Sequence, residues 1–491
     1  MNQSEIWSTI RGLDQSSFET ALHDPDSRVR LHTAERIGVL RDKRQVRHLI
    51  ACLEREDDGE VISAIVKALD RIGKPAIPPL IRGLTDENVN VRWASATGLG
   101  GIACTGAVSK LCEATEDTSP VVRLAAVQAL GSIGILNKEV EAKILTCLED
   151  DDVRVVMHAV FSAGRLGCHA AVPKLISLLP VAGHYPQQWI IEKLGDLGDS
   201  RATQPLVQLL IMNDSQDSSG MKTGDRKTAG KIIYALGQIA DPRAVQPLID
   251  ALLYWTTVNS DIQRCNAETG WHSRDENTDP AHLPGYISKA LVRIGEPAIS
   301  PLIGMLREWA DREDCTTDSA DAEEDEGCYE CSCCSTSVTS EISSILHDFG
   351  PQGIEAVLHL LNDENVSVRK LAARFFSQEH LDDKRVRDAL ITSLIHDSDE
   401  GVKTLAAHSL SGGGVRSFEE IVSAVEQHQR PFTFNEREAV RFIASDVVSH
   451  LMEVLEEPDE RVRRQILDSI RNLLESGLCL SGMAGSGDLL R

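Results

Sequence analysis

Aromatic residues are scarce here: Phe, Tyr and Trp make up 4% of 491 positions. That is too few for a β-sandwich or a cofactor-rich enzyme core, where aromatic side chains supply much of the packing. Long apolar runs are missing too, and nothing approaches the roughly 18 consecutive apolar residues of a membrane span. The opening stretch MNQSEIWSTIRGLDQ has neither the basic flank nor the apolar centre of a secretory signal. Basic charge is in deficit, 50 Lys and Arg against 75 Asp and Glu, for a net charge of -25. Binding to nucleic acid or an anionic membrane needs the opposite excess. The expected partner is therefore a protein, and a basic surface would complement this charge. Twelve cysteines in so long a chain do not form a secreted disulfide framework, so the expected compartment is the reducing cytoplasm. Catalytic signatures are absent as well: there is no glycine-rich phosphate loop, H-E-x-x-H helix or G-x-S-x-G elbow. The glycines of Ser411-Gly412-Gly413-Gly414 follow a helical pattern and read as its terminating turn.

Leu, Ile, Val and Ala carry the hydrophobic load, as in helix-on-helix packing. They recur in register. VRLHTAERIG starts at Val29, VISAIVKALDRIG at Val61, VRWASATGLGGI at Val91, VRLAAVQALGSIG at Val122 and VVMHAVFSAGRLG at Val155. Further copies start at Pro186, Thr228, Leu283, Val338, Val368, Val402 and Val462, with a weaker one near residue 434. Most spacings are 30 to 34 residues, enough for two three-turn helices and two short turns. Three residues before the marker stand helix-capping types, among them Asp26, Asp58, Asn88, Ser119, Asp152, Asn365 and Asp399. Nine residues after it stand Gly38, Gly100, Gly131, Gly164, Gly195 and Gly237. A glycine inside a helix costs about 1 kcal/mol relative to alanine, so its recurrence implies close approach of the next helix. Arg30, Arg92, Arg123, Arg369 and Arg463 follow their markers directly and are expected to form a ladder with acidic residues of neighbouring turns.

The pattern D-x-R-A-V-x-P-L-I followed by V-R-x-x-A-A-x-A-L-G-x-I-G resembles the HEAT-like repeats first associated with phycobilin lyases, as carried by bacterial HEAT-repeat proteins. The resemblance covers residues 18 to 474 and implies an all-α solenoid, a superhelix of about a dozen two-helix repeats. It also implies a function on protein surfaces: a scaffold or adaptor, or alternatively a lyase-like subunit that cradles a phycobiliprotein and its bilin. HEAT-repeat metal hydroxylases resembling deoxyhypusine hydroxylase bind iron through His-Glu steps, and no His-Glu dipeptide occurs here.

The expected layout is a cap over 1–17, repeats over 18–211, repeats with insertions over 212–337, repeats over 338–474 and a flexible tail over 475–491. The insertions, 212–227, 255–282 and 311–337, each fall between the two helices of a repeat, so they leave one edge of the stack. The second carries Trp255, Trp271, His272 and Cys265, and Trp255, Trp271 and His272 are the candidate binding residues. The third turns from acidic to cysteine-rich. Its Cys328 and Cys331 have the spacing that lets two thiolates grip one ion, and Cys334 and Cys315 complete a candidate structural Zn²⁺ site. Cys333 can replace Cys334 in that set, and a loop of free or redox-active thiols is the alternative. The expected role is a non-catalytic adaptor whose inserted loops confer specificity on a generic helical array.

Overall fold

The computed structural model describes residues 17–213, 226–256, 282–314 and 338–411, with Glu420 and Ala424. The described residues form helices joined by short turns, with no strand among them. The chain divides into two compact units, Met1–Leu248 and Ile249–Arg491.

The first unit holds α1 (Phe18–Ala21), α2 (Ser27–Leu40), α3 (Val46–Leu53), α4 (Gly59–Ile72), α5 (Ile77–Gly83), α6 (Val89–Gly101) and α7 (Val108–Ala114). It continues through α8 (Pro120–Ile133), α9 (Lys138–Cys147), α10 (Val153–Leu166), α11 (Val172–Leu178), α12 (His184–Leu197), α13 (Thr203–Asn213) and α14 (Arg226–Ile239). Helix α15, over 245–256, contains the boundary. The second unit holds α16 (His282–Ile294), α17 (Ile299–Asp314), α18 (Val338–Asp348), α19 (Pro351–Leu360), α20 (Val366–Phe375), α21 (Lys384–His396) and α22 (Glu400–Ser411). From α2 onward the even-numbered helices are the marker helices. In the first unit each packs on the next even helix, the parallel stacking of a solenoid.

The local rules act as the repeat implies. Asp26, Asp58, Asn88, Asp152 and Asn365 are N-caps whose side chains accept the N–H two residues on. Each such cap stabilises its helix by about 1 kcal/mol. In α4 the buried residues Val61, Ala64, Ile65, Ala68, Leu69 and Ile72 recur every three or four positions, which defines one inward face. The marker-plus-nine glycines sit where helices touch. A Cβ on Gly38 would lie 2.8 Å from Ala68 Cα, and one on Gly100 2.8 Å from Ala129 Cα.

The arginine ladder is present at Arg30, Arg92, Arg123 and Arg369, while Arg463 lies outside the described residues. Arg92 donates to both oxygens of Asp117, at 2.7 and 3.0 Å, and to the Asp86 carbonyl at 2.9 Å. Asp117 in turn accepts the N–H of Ser119, the cap residue of the next marker helix, at 2.8 Å. Arg30 with Glu56, and Arg369 with Asp397, repeat the arrangement. A second strap comes from the D-x-R step. Asp241 caps the turn by accepting the Arg243 N–H, and Arg243 reaches the Ser200 carbonyl of the previous repeat at 2.7 Å.

The bounds of the three insertions differ from the sequence reading. Helices α13, α15 and α17 run to residues 213, 256 and 314, and α14 and α16 begin at 226 and 282, so the insertions shrink to 214–225, 257–281 and 315–337. The reason is burial: the apolar register of α15 continues through Trp255 and Thr256, each 3% exposed. Trp255 therefore packs within the helical layers and is not offered from a loop. Residues 1–16 of the expected cap over 1–17, the Gly412–Gly414 turn, the repeats after 411 apart from Glu420 and Ala424, and the tail lie outside the described residues.

Candidate functional site

Three consecutive marker helices of the first unit expose a face unlike the others. Their inward residues are small and aliphatic: Val155, Ala159 and Val160 on α10; Ile190, Ile191 and Leu194 on α12; Ile232, Ile233 and Leu236 on α14. On these three helices the residues three and six places after each marker are left partly or fully open. These are His158 and Phe161, Trp189 and Glu192, and Lys231 and Tyr234. In a chain so poor in aromatics, Trp189 is 38% and Tyr234 44% exposed.

Rings and charges join the three helices. The Phe161 and Trp189 ring centroids are 5.2 Å apart, tilted by 52°, with His158 6.5 Å from Phe161. Lys193 Nζ stands 5.6 Å from the Phe161 centroid, near enough for a cation–π attraction. Gly164 makes that placement possible, since a Cβ there would lie 2.6 Å from Lys193 Cδ. Lys193 Nζ also bonds Glu192 at 2.9 Å and Asp196 at 2.7 Å, and Lys231 Nζ bonds Glu192 at 3.3 Å. Gln238 Nε2 donates to the Tyr234 hydroxyl at 2.6 Å. Burial pulls the His158 imidazole below its ordinary pKa, so it is neutral near pH 7. The result is an aromatic ridge whose cations and anions pair with each other. Trp189 and Tyr234 present aromatic surface on it to solvent.

The other candidates fall out differently. A hollow of about 280 Å³ in the second unit is lined by Asp363, Arg369, Thr392, Ser393, His396 and Asp397, among others. Its arginine is already engaged by Asp397 and by the carbonyls of Asp363 and Glu364, so it belongs to the structural ladder. Cys52, Cys112 and Cys147 are buried, and burial pushes their thiols up to about 11, 11 and 12, which keeps them protonated and inert. Among the described residues no three His, Cys, Asp or Glu side chains group to hold a metal. Nor is any helix among them long and apolar enough to cross a membrane. Trp271, His272, Cys265, Cys315, Cys328, Cys331, Cys333 and Cys334 lie outside the described residues. Sequence reasoning missed the ridge, although its signal was present as aromatics three or six places after adjacent markers.

Comparison with known proteins agrees with the repeat. Residues 16–88, 77–156 and 108–187 match the family model for HEAT repeats, and residues 229–254 match that for the PBS lyase HEAT-like repeat. The chain is 28% identical over 158 residues to an uncharacterized phycocyanin operon protein Z of Pseudanabaena tenuis, covering 30% of this chain and 78% of that one. Among solved structures it is similar to yeast importin-beta (Kap95p), at 11% identity and a TM-score of 0.46, over 91% of this chain and 70% of the other. It is also similar to the CpcE–CpcF complex of phycocyanin lyase from a Nostoc species, at 20% identity and a TM-score of 0.29, over 46% of this chain and 88% of that one. The capped, glycine-notched repeat and the two family matches lead to one conclusion: residues 16–187 carry HEAT repeats, and residues 229–254 carry a repeat similar to the PBS lyase HEAT-like type.

Proposed function

We propose that the chain is a non-catalytic scaffold that binds a protein partner along the α10–α12–α14 ridge, with the inserted segments adding specificity. The observation that carries the reading is the Phe161–Trp189 ring pair on adjacent helices, with Trp189 and Tyr234 left open to solvent. Large rigid aromatics give contact area at low entropic cost and dominate many protein interfaces. Charges that satisfy one another beside them favour an occupant recognised by shape and apolar contact. The net charge of -25 would add long-range attraction for a basic partner. The proposal includes Zn²⁺ binding by Cys315, Cys328, Cys331 and Cys334, checked by the zinc content of the full chain with and without Cys328→Ser.

The test compares partner capture by the full chain, by Trp189→Ala/Tyr234→Ala, and by a chain lacking residues 315–337. Loss with the double substitution alone places recognition on the ridge, and loss with the deletion alone places it on the insertion. Equal capture by all three would overturn the reading.

A second reading, a lyase-like subunit, is favoured by the match of residues 229–254 to the PBS lyase repeat and by the relative named for a phycocyanin operon. Its check is direct: mix the full chain with an apo-phycobiliprotein and free bilin, then look for a covalent, chain-dependent adduct by absorbance.

A further inference from the structure

Five marker helices meet the next through a glycine nine residues after the marker. In α18 that register position is His347. Further along, α20 stops at Phe375 and gives way to a 3-10 turn over Gln378–Asp382, which supplies His380. An imidazole has replaced the glycine contact, and a second imidazole answers it across the joint.

The hydrogen bonds define where the protons are. The Ser377 backbone N–H can only donate, and it lies 3.0 Å from His380 Nδ1, so that nitrogen is bare. The proton of neutral His380 is then on Nε2, which donates to His347 Nδ1 at 3.0 Å. His380 is 5% exposed and packed between Phe375 and Phe376, with ring centroids 5.4 and 5.8 Å away. One added proton upsets this arrangement. On His347 Nδ1 it would face the N–H of His380. Turning His380 to its other tautomer would leave the Ser377 N–H, which caps the 3-10 turn, without its acceptor, with only Ser377 Oγ, 3.1 Å from Nδ1, to receive the displaced proton.

Few charges oppose that cost. On the same turn, the Glu379 carboxylate is 3.9 Å from His347 Nε2. Asp348 on α18 accepts from Ser288 Oγ of α16 at 2.9 Å. Arg387 on α21 is held by Glu420 and by the carbonyls of Leu381 and Asp382. The fields that reach His380 come from His347 and Glu379, and burial, the largest influence, pulls its pKa below the ordinary imidazole value.

We propose that the His347–His380 pair is a pH-sensitive joint, closed while His380 is neutral and loosened when His380 takes a proton. For a depressed imidazole the sign is fixed. The stabilisation is complete above the unfolded value of about 6.5 and is lost as pH falls below it towards the folded value. Loosening would let the helices on either side of the joint open locally while the rest of the chain stays folded.

The test is amide hydrogen exchange of the full chain near pH 7.5 and near pH 5.5, corrected for the intrinsic pH dependence of exchange. Peptides from α18 and α20–α21 are expected to lose up to about tenfold in protection at the lower pH, which lies about one pH unit below the unfolded imidazole value. Peptides from residues 89–133, which contain no histidine, should not change. In His380→Asn, whose amide oxygen can still accept the Ser377 N–H but cannot be protonated, the loss should vanish. His347→Gln, at a half-exposed position, carries the same test should the buried substitution disturb folding. An unchanged protection in the native chain, or an equal loss in both variants, would overturn the proposal.

Discussion

Arg123 and Asp150, 27 residues apart, meet through two hydrogen bonds of 2.7 Å each. The arginine also reaches the Asp117 carbonyl at 3.0 Å, and the aspartate accepts the Asp152 N–H, where the next marker helix begins. One pair thus fastens a turn, a helix start and the repeat that follows.

Removing either member should therefore cost more than a surface ion pair. Asp150→Asn or Arg123→Ala is expected to destabilise the first unit by about 2 kcal/mol, because the remaining group keeps its burial and loses its partner. Glu113→Gln, which breaks the exposed Lys110–Glu113 pair, should cost about 0.5 kcal/mol or less. Urea midpoints of the three variants decide it.

Acid should release the same ladder. The Arg123 bonds hold the Asp150 carboxyl below the usual range against opposing burial, and Glu56, Asp117 and Asp397 are also lowered by their arginines despite burial. A depressed carboxylate stabilises the fold fully above its unfolded value of about 4 and loses that contribution as pH falls through the folded value. Helical ellipticity should hold through weakly acidic pH and fall below about pH 4. Asp150→Asn should flatten part of that fall.

The glycine notches make a sharp contrast. Gly100→Ala places a methyl 2.8 Å from Ala129 Cα, backbone that cannot swing aside, and should cost about 1 to 3 kcal/mol. Gly106→Ala meets nothing within 4 Å and should leave stability within about 0.5 kcal/mol of the native chain. A comparable cost at both positions would contradict the close-approach reading.

One helix end invites stabilisation. Ala103 follows α6 at φ 54°, the left-handed region where a Cβ is strained, while Gly134 and Gly167 occupy the corresponding turns after α8 and α10. Ala103→Gly should therefore raise stability by up to about 1 kcal/mol, read as a higher melting temperature.

The repeat was legible because its causes are local. Asp58 caps α4 through N–H groups two and three residues away, and Gly38 or Gly100 advertises a close approach by its position alone. The arginine ladder could be anticipated too, since period and charge place Arg92 and Asp117 within reach. Trp255 was misplaced because a polar insertion follows it directly, and only the packing of α15 shows that the helix continues through it. The ridge escaped notice because exposure of Trp189 and Tyr234 depends on which face of three stacked helices is left uncovered.

The sequence by itself thus determined the fold class, the helix caps and the arginine ladder of the described residues, since each follows from spacing within about one period. Only the tertiary structure decided that Phe161 meets Trp189, that Lys193 lies over Phe161, and that His347 finds His380 33 residues away. Those contacts depend on side-chain direction across helices, which no one-dimensional pattern encodes.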